Sequence, residues 1–418
     1  MSNSTERKVA IVGGARTPFA KAGAQLKGYS ALELATHSVD GALELTGLDP
    51  EQVDELAYGT VIVDPAVPHL AREVNFRSRL PADVRSLTLT DNCITGTSAI
   101  QSVYNSIVLG RADVGIAGGV DSMSNPPVMF TPEASRIFLD ASRAKTLRDR
   151  LKVFSKLRPR HLKPWSYGIA EPSTGLTMGE HTEITVKEWG ISREEQDEIA
   201  WRSHRNAHAA TEDGRLKAEI SPLGGFDRDL LIRPDTTLEA LSRLRPVFDR
   251  SEKGTLTAGN SSPLTDGAAA TVLMAEERAR ELGFEPLAFI RDFINVGISP
   301  DDGLLMGPGI AVPRLLERNG LSIDDIDIFE MHEAFAGQVA SNLKAWEQGW
   351  KEPAIGRVDR ERLNPLGSSI AVGHPFAATG ARIATTLANE LARRDARYGI
   401  ISICGAGATA VAMLLERA

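Results

Sequence analysis

Asp91-Asn92-Cys93-Ile94-Thr95-Gly96-Thr97-Ser98-Ala99-Ile100 is the stretch on which the reading of the fold turns. Before it, Ser86-Leu87-Thr88-Leu89-Thr90 alternates as a β-strand does; after it, the run from Ser98 through Val108 has helical spacing and meets a glycine stop at Gly110. Cys93 therefore falls at a strand-to-helix turn, facing the first, unpaired N–H groups of the helix. The positive end of the helix dipole favours a thiolate and an anionic acyl oxygen alike, which makes Cys93 a candidate nucleophile. A small buried hydrophobe is the plainer reading of the same residue.

Working outward, Val9 to Gly13 reads as a buried strand and Ala15 to Phe19 as a loop. Residues 31–46 read as a helix stopped by Gly47, Leu56 to Val63 as a strand, and Asp113 to Gly119 as a strand plus glycine turn. This β/α alternation predicts a parallel or mixed sheet covered by helices. The chain also resembles itself. Gly47-Leu48-Asp49-Pro50 through Leu56 is echoed by Gly320-Leu321-Ser322-Ile323 through Phe329, and the pair Gly96 and Gly115 by Gly380 and Gly399, both offset by 284 positions (380 − 96 and 399 − 115). Either one α/β unit is present twice or two unrelated β/α units look alike.

At 418 residues, two or three domains are expected. A net charge of −8 argues against general nucleic-acid binding, and no apolar run approaches the roughly 20 residues of a transmembrane helix. The polar residues 1–8 lead straight into Val9-Ala10-Ile11-Val12 with neither a signal-peptide core nor an Arg-rich transit helix, so a cytoplasmic location is expected. The only cysteines, Cys93 and Cys404, are too few for a disulfide framework and are expected as free thiols. One segment, about 127–175, reverses the acidic balance: from Arg143 to Lys163 nine basic residues are opposed by Asp149 alone. Leu147, Leu151, Phe154 and Leu157 fall near helical spacing there, giving a basic amphipathic helix. It reads as a solvated helix packed by one apolar face, as a cationic patch for phosphates, or as a docking face for a partner or an anionic membrane.

Three further stretches set reactive side chains among small residues: Glu330-Met331-His332-Glu333-Ala334-Phe335, Gly373-His374-Pro375-Phe376-Ala377-Ala378-Thr379-Gly380 and Ile403-Cys404-Gly405-Ala406-Gly407-Ala408. In a duplicated layout His374 takes the turn before the second half's helix, and pseudo-symmetry brings it to Cys93, whose proton it can accept. Structural histidines hydrogen-bonded in the core are the plainer alternative. His332-Glu333 lacks the His-x-x-x-His spacing of a helical zinc site, so no metal is expected. Gly405 to Ala408 contains no dinucleotide fingerprint; it reads as tight packing or as a source of backbone N–H groups near a reacting oxygen, where one donor is worth roughly 3 kcal/mol.

Together these stretches resemble the thiolase superfamily. Cys93 with Gly96 is similar to the nucleophile loop, and Ala117-Gly118-Gly119-Val120-Asp121-Ser122-Met123-Ser124 to the turn after the next strand. Gly254 to Ser262 with Asp266-Gly267-Ala268-Ala269 resembles the stretch lining the coenzyme A tunnel. His332-Glu333-Ala334-Phe335, Gly373-His374-Pro375 and Cys404-Gly405 match the remaining active-site loops. The resemblance spans nearly the whole chain in the right order. Most of the family has Asn where His332 stands and more consecutive glycines than Gly405-Ala406-Gly407-Ala408. With the basic insert, the His-Glu-Ala-Phe loop resembles the thiolase subunit of multienzyme fatty-acid oxidation complexes.

The resemblance implies an α/β fold of two pseudo-symmetric mixed-sheet halves, residues 1–285 and 286–418, in a five-layer α-β-α-β-α arrangement with the 127–175 segment as an inserted loop domain. It implies thiolytic cleavage of 3-ketoacyl-CoA by coenzyme A, the last step of β-oxidation, with Cys93 as nucleophile, His374 as base, Cys404 as acid and His332 polarising a thioester oxygen. The backbone N–H groups of Cys93 and Ala406 are expected at the second oxyanion. Ser262, Ala258 and Met178 are expected at coenzyme A, which enters as substrate, with no further cofactor; Ser262 also reads as a loop cap. A homodimer or homotetramer is expected, and a hydratase/dehydrogenase subunit at the insert. A biosynthetic acetoacetyl-CoA thiolase and a decarboxylating condensing enzyme using Cys-His-His are the alternatives; a non-catalytic acyl-CoA-binding relative is a third.

Overall fold

The computed structural model of the protein describes residues 7–164, 168 and 170–418, so positions 1–6 of the polar N-terminus and positions 165–167 and 169 of the insert lie outside the described residues. Ten strands occur in chain order: β1 (Val9–Arg16), β2 (Ala20–Lys21), β3 (Glu55–Gly59), β4 (Arg85–Leu89), β5 (Val114–Asp121), β6 (Thr265–Ala275), β7 (Ala288–Gly297), β8 (Ile328–Met331), β9 (Tyr398–Gly405) and β10 (Thr409–Arg417). They form one mixed sheet in the order β4-β3-β5-β6-β1-β7-β10-β9-β8, with β2 paired to β6.

The order contains the repeat. In the first half β3 runs parallel to β4 and β5, and β6 pairs antiparallel with β5 and β1. In the second half β8 runs parallel to β9, and β10 pairs antiparallel with β9 and β7. Leu363 adds a parallel bridge to Phe329 where β4 flanks β3. The halves meet edge to edge through a short antiparallel ladder, Val9–Ile11 against Ala288–Ile290.

Two helices, Thr95–Val108 and Thr379–Arg394, fill the centre. Ala99, Ile100, Val103 and Ile107 of the first and Ile383, Leu387 and Leu391 of the second share one buried cluster with Val9, Ile11, Leu273, Ile401, Val411 and Met413 of the sheet. A second cluster packs the outer helix Ala31–Thr46 on the first half, and a third packs Val312, Leu315, Val339 and Trp346 of the helices Pro308–Asn319 and Ala336–Gln348 on the second. Outer helices, one half of the sheet, the central helices, the other half of the sheet and outer helices make the five layers. The 284-residue offset has a physical reason: a Cβ at Gly96 would lie 2.7 Å from Ala377 O and 3.1 Å from Gly380 Cα, so the central helices cross on glycine from both halves. Gly115 and Gly399 each face the central helix of their own half, at Val103 and Leu387, themselves 284 apart.

Local expectations shift where pairing overrides pattern. Ala15 and Arg16 belong to β1 rather than a loop, because they pair with Ala270 and Ala269. Gly118 and Gly119 lie inside β5, not in a turn; a Cβ on Gly119 would collide with Ala377 of the second half. The Cys93 helix begins at Thr95, before Ser98, because the Thr95 hydroxyl accepts from Asp91 N–H at 2.7 Å and donates to Asn92 O at 2.7 Å. The strand expected over residues 56–63 ends at Gly59.

Candidate active site

Asn92 holds a left-handed backbone (φ 48°) just ahead of Cys93, and its side-chain amide donates to Ala406 O at 2.9 Å. The turn 92–94 then delivers Cys93 to the start of the helix Thr95–Val108, which has no side-chain cap. His374 Nε2 lies 3.3 Å from Cys93 Sγ. Its other nitrogen, Nδ1, is 2.6 Å from Thr379 Oγ1, and that hydroxyl donates to Pro375 O at 3.1 Å. With its proton committed to Pro375, Thr379 accepts from Nδ1–H, leaving Nε2 a bare acceptor aimed at the thiol. The backbone N–H of His374 donates to Thr265 Oγ1 at 3.0 Å.

His332 follows β8, with its ring centroid 4.1 Å from that of His374. The loop is held from beneath by Glu333, which accepts from Ser203 Oγ and Asn364 Nδ2, both at 2.7 Å. Cys404 stands near the end of β9, paired with Ala410 and only 1 % exposed. Ala406 closes the site; its N–H, with that of Cys93, favours the charged form of the Cys93 sulfur. Gly407 N–H in turn donates to Glu171 of the insert at 2.8 Å.

Burial sets the charge state. It pushes the Cys93 thiol up to about 12, against the pull of the Ala406 and Cys93 N–H groups. Burial, reinforced by the Arg382 charge, brings His374 down to about 3. The resting pair is a neutral thiol hydrogen-bonded to a neutral imidazole, so the expected thiolate arises only as the proton moves during attack. Burial, with the nearby Cys93, raises Cys404 well above the ordinary thiol range, which keeps it protonated and fit to act as an acid. Cys93, His332 and His374 also bring their donor atoms within 4.8 Å of one another, the one trio among the described residues with metal-ligand spacing.

Of the expected coenzyme A contacts, Ala258 is exposed, and Ser262 and Met178 are partly so. Ser262 N–H donates to Ala334 O at 2.9 Å and Ser261 bridges Phe335, laying this stretch along the His332 loop. Met178 opens the helix Met178–Trp189 and packs against the second half's outer core. Sequence reasoning passed over Asn92, Thr379, Glu171 and Ser369. Thr379 was within reach, as a hydroxyl five residues beyond a reactive histidine, and so was Asn92, next to Cys93; Glu171 and Ser369 act from other segments and leave no local signal.

A thiol at a helix start between two duplicated α/β halves, with a histidine and a second thiol beside it, is the arrangement of a thiolase. The chain matches the thiolase N-terminal domain over residues 9–277 and the thiolase C-terminal domain over residues 284–417, and it belongs to the thiolase family. It is 42% identical to a 3-ketoacyl-CoA thiolase of Erwinia tasmaniensis over 98% of this chain and 96% of that one. Against a 3-ketoacyl-CoA thiolase of Colwellia psychrerythraea it is 40% identical, covering 100% of this chain and 98% of that one. Among solved structures it is similar to the Bacillus anthracis acetyl-CoA acetyltransferase (TM-score 0.86, 33% identity, 99% of each chain). The human mitochondrial 3-ketoacyl-CoA thiolase in complex with CoA is another (TM-score 0.84, 30% identity, 99% of this chain and 98% of that one).

Proposed function

We propose that the protein cleaves 3-ketoacyl-CoA with coenzyme A, giving acetyl-CoA and an acyl-CoA shortened by two carbons, as the last step of β-oxidation. The observation that carries this reading is the 3.3 Å contact between Cys93 Sγ and His374 Nε2 in a chain that aligns end to end with 3-ketoacyl-CoA thiolases. His374 takes the Cys93 proton as sulfur attacks the 3-keto carbon. The resulting oxyanion meets the N–H groups of Cys93 and Ala406. The C2–C3 bond breaks, its electron pair leaves as the acetyl-CoA enolate, and Cys404 supplies the proton that converts enolate to acetyl-CoA. His374 and His332 polarise the thioester oxygen during that step. Coenzyme A then gives its thiol proton to Cys404 and attacks the acyl-cysteine; His374 returns its proton to Cys93. Every proton and nucleophile comes from the chain or from coenzyme A, so the cycle closes without a metal or organic cofactor.

Ser262, Ala258 and Met178 are assigned to coenzyme A, supported by the position of residues 258–262 along the His332 loop. The chain divides at about 285, where the repeated strand order restarts with β7, and the basic segment 127–175 is an inserted loop domain. A cytoplasmic homodimer or homotetramer is the assigned form; among the described residues no helix is long and apolar enough to cross a membrane. For the insert the assigned role is docking to a hydratase/dehydrogenase subunit or an anionic membrane. Leu147 (72 % exposed) and Leu151 (61 % exposed) support it, because the helix Leu147–Phe154 leaves its apolar side open beside the basic residues. Pull-down and vesicle binding, with the insert's Arg and Lys changed to Ser, test this role; unaltered association overturns it.

A decarboxylating condensing enzyme needs only Cys93, His332 and His374, and has no use for a second thiol at Cys404. Assay with coenzyme A and 3-ketoacyl-CoAs of increasing length tests the proposal. Release of acetyl-CoA supports it; consumption of malonyl thioesters without 3-ketoacyl-CoA cleavage overturns it.

A further inference from the structure

Ser369 and Arg382 belong to none of the active-site loops, yet both bear on His332. That histidine is fully enclosed; its Nδ1 lies 2.8 Å from Ser369 Oγ, and its Nε2 has no partner. Ser369, also fully buried, meets two groups among the described residues: His332 Nδ1 and a terminal guanidinium nitrogen of Arg382 at 3.3 Å. The same nitrogen reaches Ser368 Oγ at 3.2 Å. A guanidinium only donates. If His332 Nδ1 donated as well, the Ser369 hydroxyl proton would lie in the interior with no acceptor, and an unmet buried donor carries its full desolvation penalty.

We infer that Ser369, oriented by Arg382, donates to His332 Nδ1 and so fixes the His332 proton on Nε2, where it points at the reacting atoms as an N–H donor. Ser369 and Arg382 are positioning residues; His332 makes the contact. The inference rests on the thiolase reading of the site, since the donor's target is the thioester oxygen of the departing acetyl-CoA.

His374 is the opposite case. Thr379 has spent its proton on Pro375 and accepts from Nδ1, so the His374 Nε2 is bare. Two adjacent imidazoles thus hold opposite tautomers, one a base for Cys93 and the other a donor, each fixed by the direction of a single hydroxyl. Burial above all, with the Arg382 charge adding to it, disfavours protonation of either ring, which keeps the donor a neutral imidazole. The same tautomer counts against the Cys93, His332 and His374 trio as a metal site, because His332 Nε2 then offers a proton rather than a lone pair.

Two-bond ¹⁵N–¹H correlation spectra of the full-length protein labelled at histidine test the inference, with assignments from His332→Asn and His374→Asn. The expected spectrum has a protonated Nε2 on His332 and an unprotonated Nε2 on His374; a His332 protonated at Nδ1 overturns it. In a second arm, Ser369→Ala lowers kcat for 3-ketoacyl-CoA cleavage by roughly 10²-fold, the effect of losing one oriented donor. The rate of Cys93 alkylation by iodoacetamide is unchanged in that variant, and Ser369→Thr recovers most of the turnover. Wild-type turnover in Ser369→Ala, or an equal loss of alkylation, overturns the positioning role. Absence of an acyl-cysteine in the wild-type protein would instead defeat the thiolase reading and leave the tautomer spectrum standing.

Discussion

Cys404→Ala separates the two thiols most cleanly. Cys404 is held between its backbone pairing to Ala410 and the core around it, and it remains protonated at neutral pH because burial and Cys93 both oppose its ionisation. Positioned proton transfer contributes about 10² to 10⁴ in rate, so removing this acid is expected to add about 3–5 kcal/mol to the barrier of carbon–carbon cleavage. The fold loses one buried heavy atom, at a cost on the order of 1 kcal/mol, small beside a typical stability of about 5–15 kcal/mol. The variant should therefore fold, and Cys93 should still accept an acyl group from a reactive thioester while 3-ketoacyl-CoA turnover collapses. Both reactions are measurable on one preparation, the first by intact mass and the second by acetyl-CoA release. Unchanged turnover would refute the acid role, and loss of acylation together with cleavage would show that the substitution had disturbed Cys93 as well.

Thr379→Val strips the acceptor from His374 Nδ1 and leaves that N–H buried; kcat/KM should fall by about 10- to 100-fold, consistent with a penalty of about 1–3 kcal/mol, whereas Thr379→Ser should largely preserve it. Because the resting Cys93 thiol lies near 12 and His374 near 3, the thiolate fraction should grow about tenfold per pH unit between pH 7 and 10, and Cys93 alkylation should follow it. A flat profile would mean a preformed ion pair. The same His374 shift works against stability in acid: its folded value lies below the ordinary 6.5, so the unfolded chain binds protons first. Its contribution is full above about pH 6.5 and is lost, at about 1.4 kcal/mol per unit, as the pH falls toward 3; denaturant unfolding of wild type and His374→Asn across that window measures it. Gly96→Ala places a methyl group against Ala377 O and Gly380 Cα and should cost about 1–3 kcal/mol, read as a lower denaturation midpoint.

Much of this was legible in the chain because duplication leaves a record. The offset shared by Gly96 and Gly380 marks the crossing of the central helices, and that crossing is why Cys93 and His374, distant in sequence, face each other. The reactive residues were legible because each sits in a short run of small residues at a strand or helix end. What the chain did not announce depends on long-range packing. Gly118 and Gly119 look like a turn in one dimension, but they are small because Ala269 O and the Tyr58 ring crowd the first and the second half's Ala377 presses on the second. Ser369 looks like any helix-opening serine until the fold sets it between Arg382 and His332. The helix terminus that favours a Cys93 thiolate is likewise visible in sequence, whereas the desolvation that raises the thiol against it is not.

The central claim is that Cys93 carries the acyl group. Wild-type protein mixed with 3-ketoacyl-CoA in the absence of free coenzyme A, quenched and digested, tests it by peptide mass. The account predicts one acyl adduct on the peptide containing Cys93, discharged on adding coenzyme A and absent in Cys93→Ala. An adduct on Cys404 or on no cysteine at all, with acetyl-CoA nevertheless released, would contradict it.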